Sequence, residues 1–165
     1  MNLYFRLLYT LILSFFQPRA SLEEEQILKF RCWPHDLDLN FHMNNGRYLT
    51  LMDLGRLQLI FRLGLLKDVV KNFWMPVLGE AHIRFRRPLN PFQAFELHTR
   101  IVSWDEKWVF IEQKFMSRGE LIAIGHVKGL LKGRKQSIPT AVILEKIGHS
   151  KSPAPIPKFF LGDTK

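Results

Sequence analysis

The chain has 165 residues, 47% of them hydrophobic and 24% charged, which is typical of one globular domain and excludes a disordered chain. Lys and Arg exceed Asp and Glu by 24 to 15, and the net charge of +9 favours anionic partners such as nucleic acid, an acidic membrane surface or a phosphate-bearing small molecule. The single cysteine, Cys32, excludes an internal disulfide and fits a reducing compartment.

The first predicted element is an N-terminal helix within residues 1–20, ended by Pro18. Its polar residues recur every three or four positions, which places them on one helix face. They are Asn2, Arg6, Thr10, Ser14 and Gln17. We interpret residues 1–17 as an amphipathic helix that contacts an anionic membrane surface, helped by Arg6 and Arg19, or that packs on the body of the protein. A short membrane anchor and a signal sequence are the open alternatives. The expected location is cytoplasmic, with peripheral contact at the inner face of a membrane.

A half-buried strand is predicted for residues 27–33, where apolar and basic side chains alternate as far as Pro34. Residues 36–48 follow, and they place two carboxylates, an imidazole and three carboxamides just ahead of the longest helical pattern. Hydrolytic chemistry needs such groups held at a fixed point, and a helix start adds free backbone N–H donors beside them. We therefore predict the functional centre here.

A helix with a broad apolar face is predicted from Asn45 to about Leu66, and we expect a sheet to bury it. Alternating apolar residues and turn signals predict four strands after it. They are residues 77–87, 95–104, 107–117 and 121–131. A short helix over residues 139–147 and a Pro-containing tail over residues 150–165 end the chain. The strands are expected to follow one another by antiparallel hairpins, so residues 21–149 are predicted to form an α+β domain, a curved antiparallel sheet around one long central helix.

The central stretch resembles the signature of hotdog thioesterases. It reads Asp38-x-Asn40-x-His42-Met43-Asn44-Asn45-x-x-Tyr48. It is similar to plant acyl-carrier-protein thioesterases and, in its Asp-to-Tyr spacing, to 4-hydroxybenzoyl-CoA thioesterase. The similarity to the family of thioesterase superfamily member six extends to the opening Asp36-Leu37-Asp38-Leu39 and to Arg86-Arg87-Pro88-Leu89. The resemblance covers roughly residues 1–131 and implies the hotdog fold.

The resemblance implies a thioester hydrolase of fatty acid metabolism that acts on acyl-CoA or acyl-carrier protein, without a cofactor, as a homodimer or tetramer with helices side by side. It implies that Asp38 acts as nucleophile or as general base on water. By the same resemblance His42 orients water or substrate, and the Asn45 backbone N–H polarises the thioester carbonyl. Asn40 is expected to hold the substrate carbonyl or the carboxylate. The side chains of Asn44 and Asn45 are expected mainly to cap the helix.

Three further residues complete the predicted substrate site. Tyr48 is included, although a position one turn into the helix is also typical of a core or interface residue. Arg84 and Arg86 share a strand face and are predicted to meet the coenzyme A phosphates, with a solvated face as the alternative. Asp36 is expected to be a solvated loop acid, so that Asp38 alone carries the chemistry.

Other functional classes lack a motif in this sequence. No spacing of His, Cys and acidic residues suggests a metal site, and neither a Gly-rich phosphate loop nor a Ser nucleophile elbow is present. Nucleic-acid binding rests on charge alone, so no nucleic-acid partner is predicted. The remaining alternative is a hotdog dimer that binds acyl-CoA or lipid at a membrane surface without catalysis.

Overall fold

The structure is a computed structural model that describes residues 3–160. Asn2 of the predicted polar helix face and residues 161–165 of the predicted tail lie outside the described residues. The helices are α1 (Leu3–Phe16), α2 (Asn45–Arg62), α3 (Leu66–Lys71) and α4 (Thr140–Ile147), with 3-10 turns at Pro34–Asp36 and Lys158–Phe160. The strands are β1 (Gln26–Arg31), β2 (Met75–Phe85), β3 (Ala94–Trp104), β4 (Val109–Ser117) and β5 (Glu120–Lys132).

The five strands form one antiparallel sheet in the order β1-β3-β4-β5-β2. The sheet curves around α2, which confirms the predicted α+β hotdog fold. The prediction that the last four strands follow one another by hairpins was wrong for β2, which pairs with β5 and not with β3. β1 and β4 pair with the two sides of β3, so β3 has no free side for β2. β2 pairs instead with β5, at the edge of the sheet opposite to β1.

The central helix packs on the sheet at two glycines. A methyl group on Gly55 would collide with the Thr99 hydroxyl and would lie 2.8 Å from Nε2 of Gln113. A side chain on Gly125 of β5 would likewise collide with the end of Met52. The buried Gln113 amide donates to the Met52 carbonyl and to the Thr99 hydroxyl, both at 3.0 Å. Helix and sheet therefore approach closely and share a satisfied polar link.

The predicted alternation of β1 is confirmed. Leu28, Phe30 and Cys32 are buried, while Lys29 and Arg31 are exposed. Burial also raises the pKa of the Cys32 thiol to about 11, so this thiol stays protonated and unreactive at neutral pH.

The α2 helix ends four residues before the predicted boundary (Arg62 against Leu66), because Gly64 adopts a left-handed conformation at φ 77°. The short helix α3 follows, which the sequence pattern did not predict. At the other end of the chain, α4 ends at Gly148, as predicted, and this glycine is also left-handed. Beyond it, residues 150–160 follow the outer face of the sheet, where the Ser103 hydroxyl donates to the Ala154 carbonyl at 2.6 Å.

The first helix, α1, packs on α2 with its polar face inward. Arg6, Thr10 and Ser14 are buried, and the Arg6 guanidinium forms an ion pair with the carboxylate of Asp36 at 2.5 Å. The expected contribution of Arg6 to anionic membrane contact was therefore wrong, because its charge is neutralised inside the protein. Within residues 3–160, no helix has both the length and the apolar character needed to cross a membrane.

Candidate active site

The predicted functional stretch forms a narrow loop between β1 and α2. An antiparallel bridge joins Leu37 to Met43 at its base, and the Asp38 N–H donates to the His42 carbonyl at 2.9 Å. The Asn44 N–H donates to the Asp36 carbonyl at 2.8 Å, which closes the loop at the helix start. The tip between Asp38 and His42 is therefore held in a fixed turn.

The carboxylate of Asp38 holds this turn with one of its two oxygens. Its Oδ1 accepts hydrogen bonds from the backbone N–H groups of Asn40 at 2.8 Å and His42 at 3.4 Å. Phe41 lies between them in a left-handed conformation with φ 59°, which is uncommon for a residue other than glycine. Within residues 3–160, the second oxygen, Oδ2, has no hydrogen-bond partner. Asp38 is half-buried, so its orientation is fixed while one oxygen stays available.

The start of α2 offers a backbone donor next to this carboxylate. Asn44 caps the helix, since its side-chain oxygen accepts from the Gly46 N–H at 2.9 Å. The Asn45 side chain is exposed and makes no capping bond, contrary to the expectation that both asparagines cap. In the described part of the chain the Asn45 N–H has no hydrogen-bond partner. A free N–H at a helix N-terminus carries partial positive charge and attracts a developing oxyanion.

The loop, the helix start and the end of β2 enclose an open cleft. Its lining consists of Asp38, Asn40, His42, Met43, Asn45, Tyr48, Phe85, Arg86, Arg87 and Pro88. Six of the seven residues predicted from the sequence as catalytic or substrate-binding therefore meet in one place. The seventh, Arg84, does not line the cleft, because strand alternation places it on the face of β2 opposite to Phe85. Arg86 does line the cleft, because β2 ends at Phe85 and the alternation does not extend to Arg86, so the two arginines do not share a face as predicted.

Tyr48 forms the floor of the cleft and is part of the core. It is 2% exposed, and its ring packs edge-on against Phe85 at 5.0 Å and Phe115 at 4.8 Å. Burial raises the pKa of its hydroxyl to about 12. Tyr48 therefore stays neutral at physiological pH, and its position excludes a role as general base.

The two arginines at the rim of the cleft differ in their pairing. Arg87 forms a 3.0 Å ion pair with Glu120. Arg86 is exposed, and no ion pair or side-chain hydrogen bond engages its guanidinium within residues 3–160. Arg86 is therefore the rim cation that is available to an anionic ligand.

Asp36 is completely buried, so the expectation of a solvated loop acid was wrong. It accepts two hydrogen bonds from the Arg6 guanidinium, at 2.5 and 2.9 Å, and one from the Trp33 N–H at 2.8 Å. Arg47 approaches the same carboxylate at 3.8 Å. Its oxygens are therefore occupied, which leaves Asp38 as the loop carboxylate that faces the cleft.

A second cavity, which the sequence did not predict, lies near the other end of α2. It measures about 170 Å³ and is bounded by α2, α4 and the sheet. Apart from Asp53, Arg56 and Thr140, its lining is apolar. The broad apolar face of α2, with Ile60 and Leu63, is the sequence feature that indicates it. A cavity of about 150 Å³ takes up benzene, so this one has room for about six carbons.

Sequence comparison assigns the family. The profile described as "Thioesterase-like superfamily" matches residues 32–163. The chain belongs to this superfamily. Its matched region begins just before the loop and includes the whole cleft, whereas α1 and β1 lie ahead of it.

Several relatives carry related sequences. Protein THEM6 of Danio rerio is 41% identical over 106 residues, which cover 64% of this chain and 52% of the relative. Protein THEM6 of Drosophila melanogaster is 27% identical over 146 residues, or 87% of this chain and 73% of the relative. A probable thioesterase of Saccharomyces cerevisiae is 27% identical over 119 residues, covering 70% of this chain and 51% of the relative. The match thus spans about half of the zebrafish and yeast proteins.

Solved structures share the fold. The gentisyl-coenzyme A thioesterase BH1999 superposes with a TM-score of 0.64 at 23% identity, covering 69% of this chain and 94% of that protein. SAV2348 of Staphylococcus aureus, solved in complex with CoA, gives a TM-score of 0.68 at 15% identity and covers 89% of this chain and 98% of that protein. At these identities the likeness concerns the fold.

Proposed function

We propose that the protein hydrolyses acyl thioesters at the cleft around Asp38. The observation that carries this proposal is the pairing of two available groups in one cleft: Oδ2 of Asp38 and the N–H of Asn45 at the start of α2. The first activates or replaces a water nucleophile, and the second receives the oxyanion. Membership of the thioesterase-like superfamily supports the reaction class.

The two carboxylate roles lead to the same products. As general base, Asp38 takes a proton from water while the water oxygen attacks the thioester carbon. As nucleophile, Asp38 attacks that carbon itself and forms an anhydride, which water then hydrolyses. In both routes the carbonyl oxygen becomes negative and is stabilised by the Asn45 N–H and the helix N-terminus. The thiolate leaves and takes up a proton, which gives a free acid and a thiol. His42 and Asn40, which line the same cleft, orient the water and the substrate carbonyl.

The proposed substrates are thioesters of coenzyme A or of an acyl-carrier protein. Both carry phosphate on the thiol-bearing arm, and Arg86 at the rim of the cleft is placed to contact it. The names of two structural neighbours, a gentisyl-coenzyme A thioesterase and a protein in complex with CoA, support the coenzyme A thioester. Arg84 lies outside the cleft, so it would contact the phosphate only of a ligand that extends past the edge of the sheet.

We propose that the acyl chain enters the apolar cavity of a second subunit. In one chain the cleft adjoins Phe85 near the end of β2, whereas the cavity adjoins Val77 near its start. These positions are about 26 Å apart along the strand at about 3.3 Å per residue. In a single chain the cleft and the cavity therefore lie near opposite ends of β2.

Pairing of two β2 strands removes this separation. β2 is an edge strand, so its outer backbone groups are free to pair with a second copy. Antiparallel pairing about a two-fold axis near the middle of β2 brings the cleft of each chain next to the cavity of the other. Large apolar side chains at this edge, at the loop tip and on α2 are exposed in one chain. They are Leu39, Phe41, Leu49, Met75, Leu78 and Phe85.

The test is a thiol-release assay with acyl-CoA substrates of short, medium and long chain and with an aromatic acyl-CoA. Hydrolysis of at least one substrate well above the blank is the expected result. A non-hydrolysable acyl-CoA thioether serves as the binding control. Tight binding of the thioether with no thiol release from any substrate would identify a binding protein and overturn the proposed hydrolysis.

A further inference from the structure

The first helix has the reverse of the usual arrangement, with its polar face in the protein and its apolar face in water. Arg6, Thr10 and Ser14 are each 2% exposed or less. The large side chains on the other sides of α1 are 40% to 80% exposed. They are Tyr4, Phe5, Leu8, Tyr9, Ile12, Phe15 and Phe16. A contiguous apolar surface of this kind on a protein in water marks an interaction site.

The orientation of α1 is locked at both ends. Near the N-terminal end, Arg6 is bound to the Asp36 carboxylate and donates to the Arg31 carbonyl at 2.9 Å. Just beyond the C-terminal end, the Gln17 side chain accepts from Arg62 at 3.3 Å and from Gln58 at 3.2 Å. Turning the apolar side chains inward would separate a buried ion pair, which is strongly unfavourable. The apolar face therefore stays directed outward.

The charge around this face favours an anionic partner. Residues 1–22 contain no acidic residue. The exposed Arg19 follows the C-terminal end of α1, and the exposed Arg31 lies on β1 beside its N-terminal end, where its carbonyl holds Arg6. An apolar helix face between basic side chains matches the boundary between acyl chains and acidic headgroups of a bilayer.

The length of α1 favours a position parallel to the bilayer surface. It has 14 residues, or about 21 Å at about 1.5 Å per residue, which is short of the roughly 30 Å of a hydrocarbon core. One of its faces is also bound to the protein body by Arg6. A helix held in this way inserts only its outer face, to a depth of one side-chain layer.

We propose that α1 docks the protein on an anionic lipid bilayer. The side chains around Leu8 and Ile12 enter the interfacial layer, and Arg19 and Arg31 contact acidic headgroups. The Arg6–Asp36 ion pair is the link that fixes the helix to the loop of Asp38, so the docked helix holds the cleft at the membrane surface. This docking is independent of the proposed hydrolysis.

The experiment is flotation of the full chain with vesicles of phosphatidylcholine containing phosphatidylserine, and with phosphatidylcholine alone. The variant Leu8→Ser/Ile12→Ser removes two apolar side chains from the docking face. Val70→Ser/Phe73→Ser is the matched control, because both of its residues are about as exposed but lie outside α1. Thermal melting of each protein verifies that it is folded.

The wild type and the control are expected to float with the acidic vesicles and to bind the neutral vesicles more weakly. The binding of the α1 variant to the acidic vesicles is expected to be weaker by about tenfold or more. Failure of the wild type to float, or equal flotation of the α1 variant, would overturn the docking. So would a change in the oligomeric state of the α1 variant without vesicles, which would assign this face to a second copy. Thiol release measured without vesicles stays unaffected by the α1 variant and separates this result from the test of hydrolysis.

Discussion

Two aspartates, two positions apart in one loop, have opposite environments. Asp36 is fully buried and bound by Arg6, whereas Asp38 is half-buried and keeps one oxygen available at the cleft. A buried carboxylate requires a partner charge, and α1 supplies it from thirty positions earlier in the chain. The first carboxylate therefore assembles the protein, and the second remains available for chemistry.

Loss of the buried ion pair should destabilise the protein strongly. We expect Asp36→Asn to lower the free energy of unfolding by about 3–5 kcal/mol, because the Arg6 charge stays buried without its partner. Urea unfolding followed by circular dichroism measures it. Glu120→Gln is the control, since its pair with Arg87 is exposed on both sides and is worth about 1 kcal/mol or less. Equal losses in the two variants would contradict the assigned role of Asp36.

The sequence shows both acids, Asp36 and Asp38, but it could not predict which of them is buried. Burial of Asp36 depends on Arg6, and no local pattern indicates that a helix thirty residues away reaches this loop. Asp38, by contrast, could be selected by its place in a motif of fixed spacing. The apolar cavity near Asp53 and Arg56 was missed for the same reason as Asp36, since distant elements enclose it.

At the scale of elements, the order of helix and strands was predictable because side-chain periodicity is local. The apolar alternation of β1 and β3 and the wide apolar face of α2 correspond to residues that the fold buries. Strand pairing was less predictable, since the partner of β2 depends on which sheet edge remains free. The periodicity of α1 predicted a polar face and an apolar face. The ion pair between Arg6 and the buried Asp36 determines that the polar face packs on the protein.

The C-terminal segment adds a pH-sensitive contact to the sheet. The ring of Phe159 lies 3.7 Å from that of His126 on β5, and Phe160 packs on Phe110 at 4.7 Å. Burial lowers the pKa of His126 below its ordinary 6.5, although Glu112 at 3.6 Å acts in the other direction. The unfolded chain therefore binds a proton at this residue more readily than the folded one.

This pKa shift predicts that acid weakens the fold. The contribution of His126 is fully present above pH 6.5 and is lost as the pH falls below that value, because protonation then favours the unfolded chain. Unfolding free energies measured by urea at pH 7.5 and about pH 5.5 should therefore differ less in His126→Phe than in the wild type. Phe159→Ala, which uncovers the imidazole, should reduce the difference as well. An unchanged pH dependence in both variants would contradict the assignment.

At the scale of the whole molecule, the cleft and the apolar cavity lie near opposite ends of β2 in each chain. In the proposed dimer, two copies that pair along β2 form two equivalent composite sites, each with the Asp38 of one chain and the cavity of the other. The proposed arrangement would make activity a property of the pair of chains, and it would cover the apolar side chains that a single chain exposes along that edge.

Mixing two inactive variants tests the composite site. Asp38→Asn removes the reactive carboxylate, and Ile60→Trp fills the cavity. Each homodimer should be inactive, but co-expressed chains should recover about a quarter of the wild-type activity, since half of the dimers are mixed and one of their two sites is intact. Size-exclusion chromatography verifies that both variants are dimeric. No recovery on mixing would mean that each chain works alone.

Thiol release from acyl-CoA by Asp38→Asn tests hydrolysis at this cleft most directly. The asparagine keeps Oδ1, which accepts from the Asn40 and His42 N–H groups, so the loop should keep its conformation. The negative charge and the basicity of the Asp38 carboxylate are lost. We predict a fall in kcat/KM of about 100-fold or more with an unchanged melting temperature. Asp68→Asn, in α3 and outside the cleft and the cavity, should retain wild-type activity. Equal activity of Asp38→Asn and the wild type would contradict the catalytic role of Asp38.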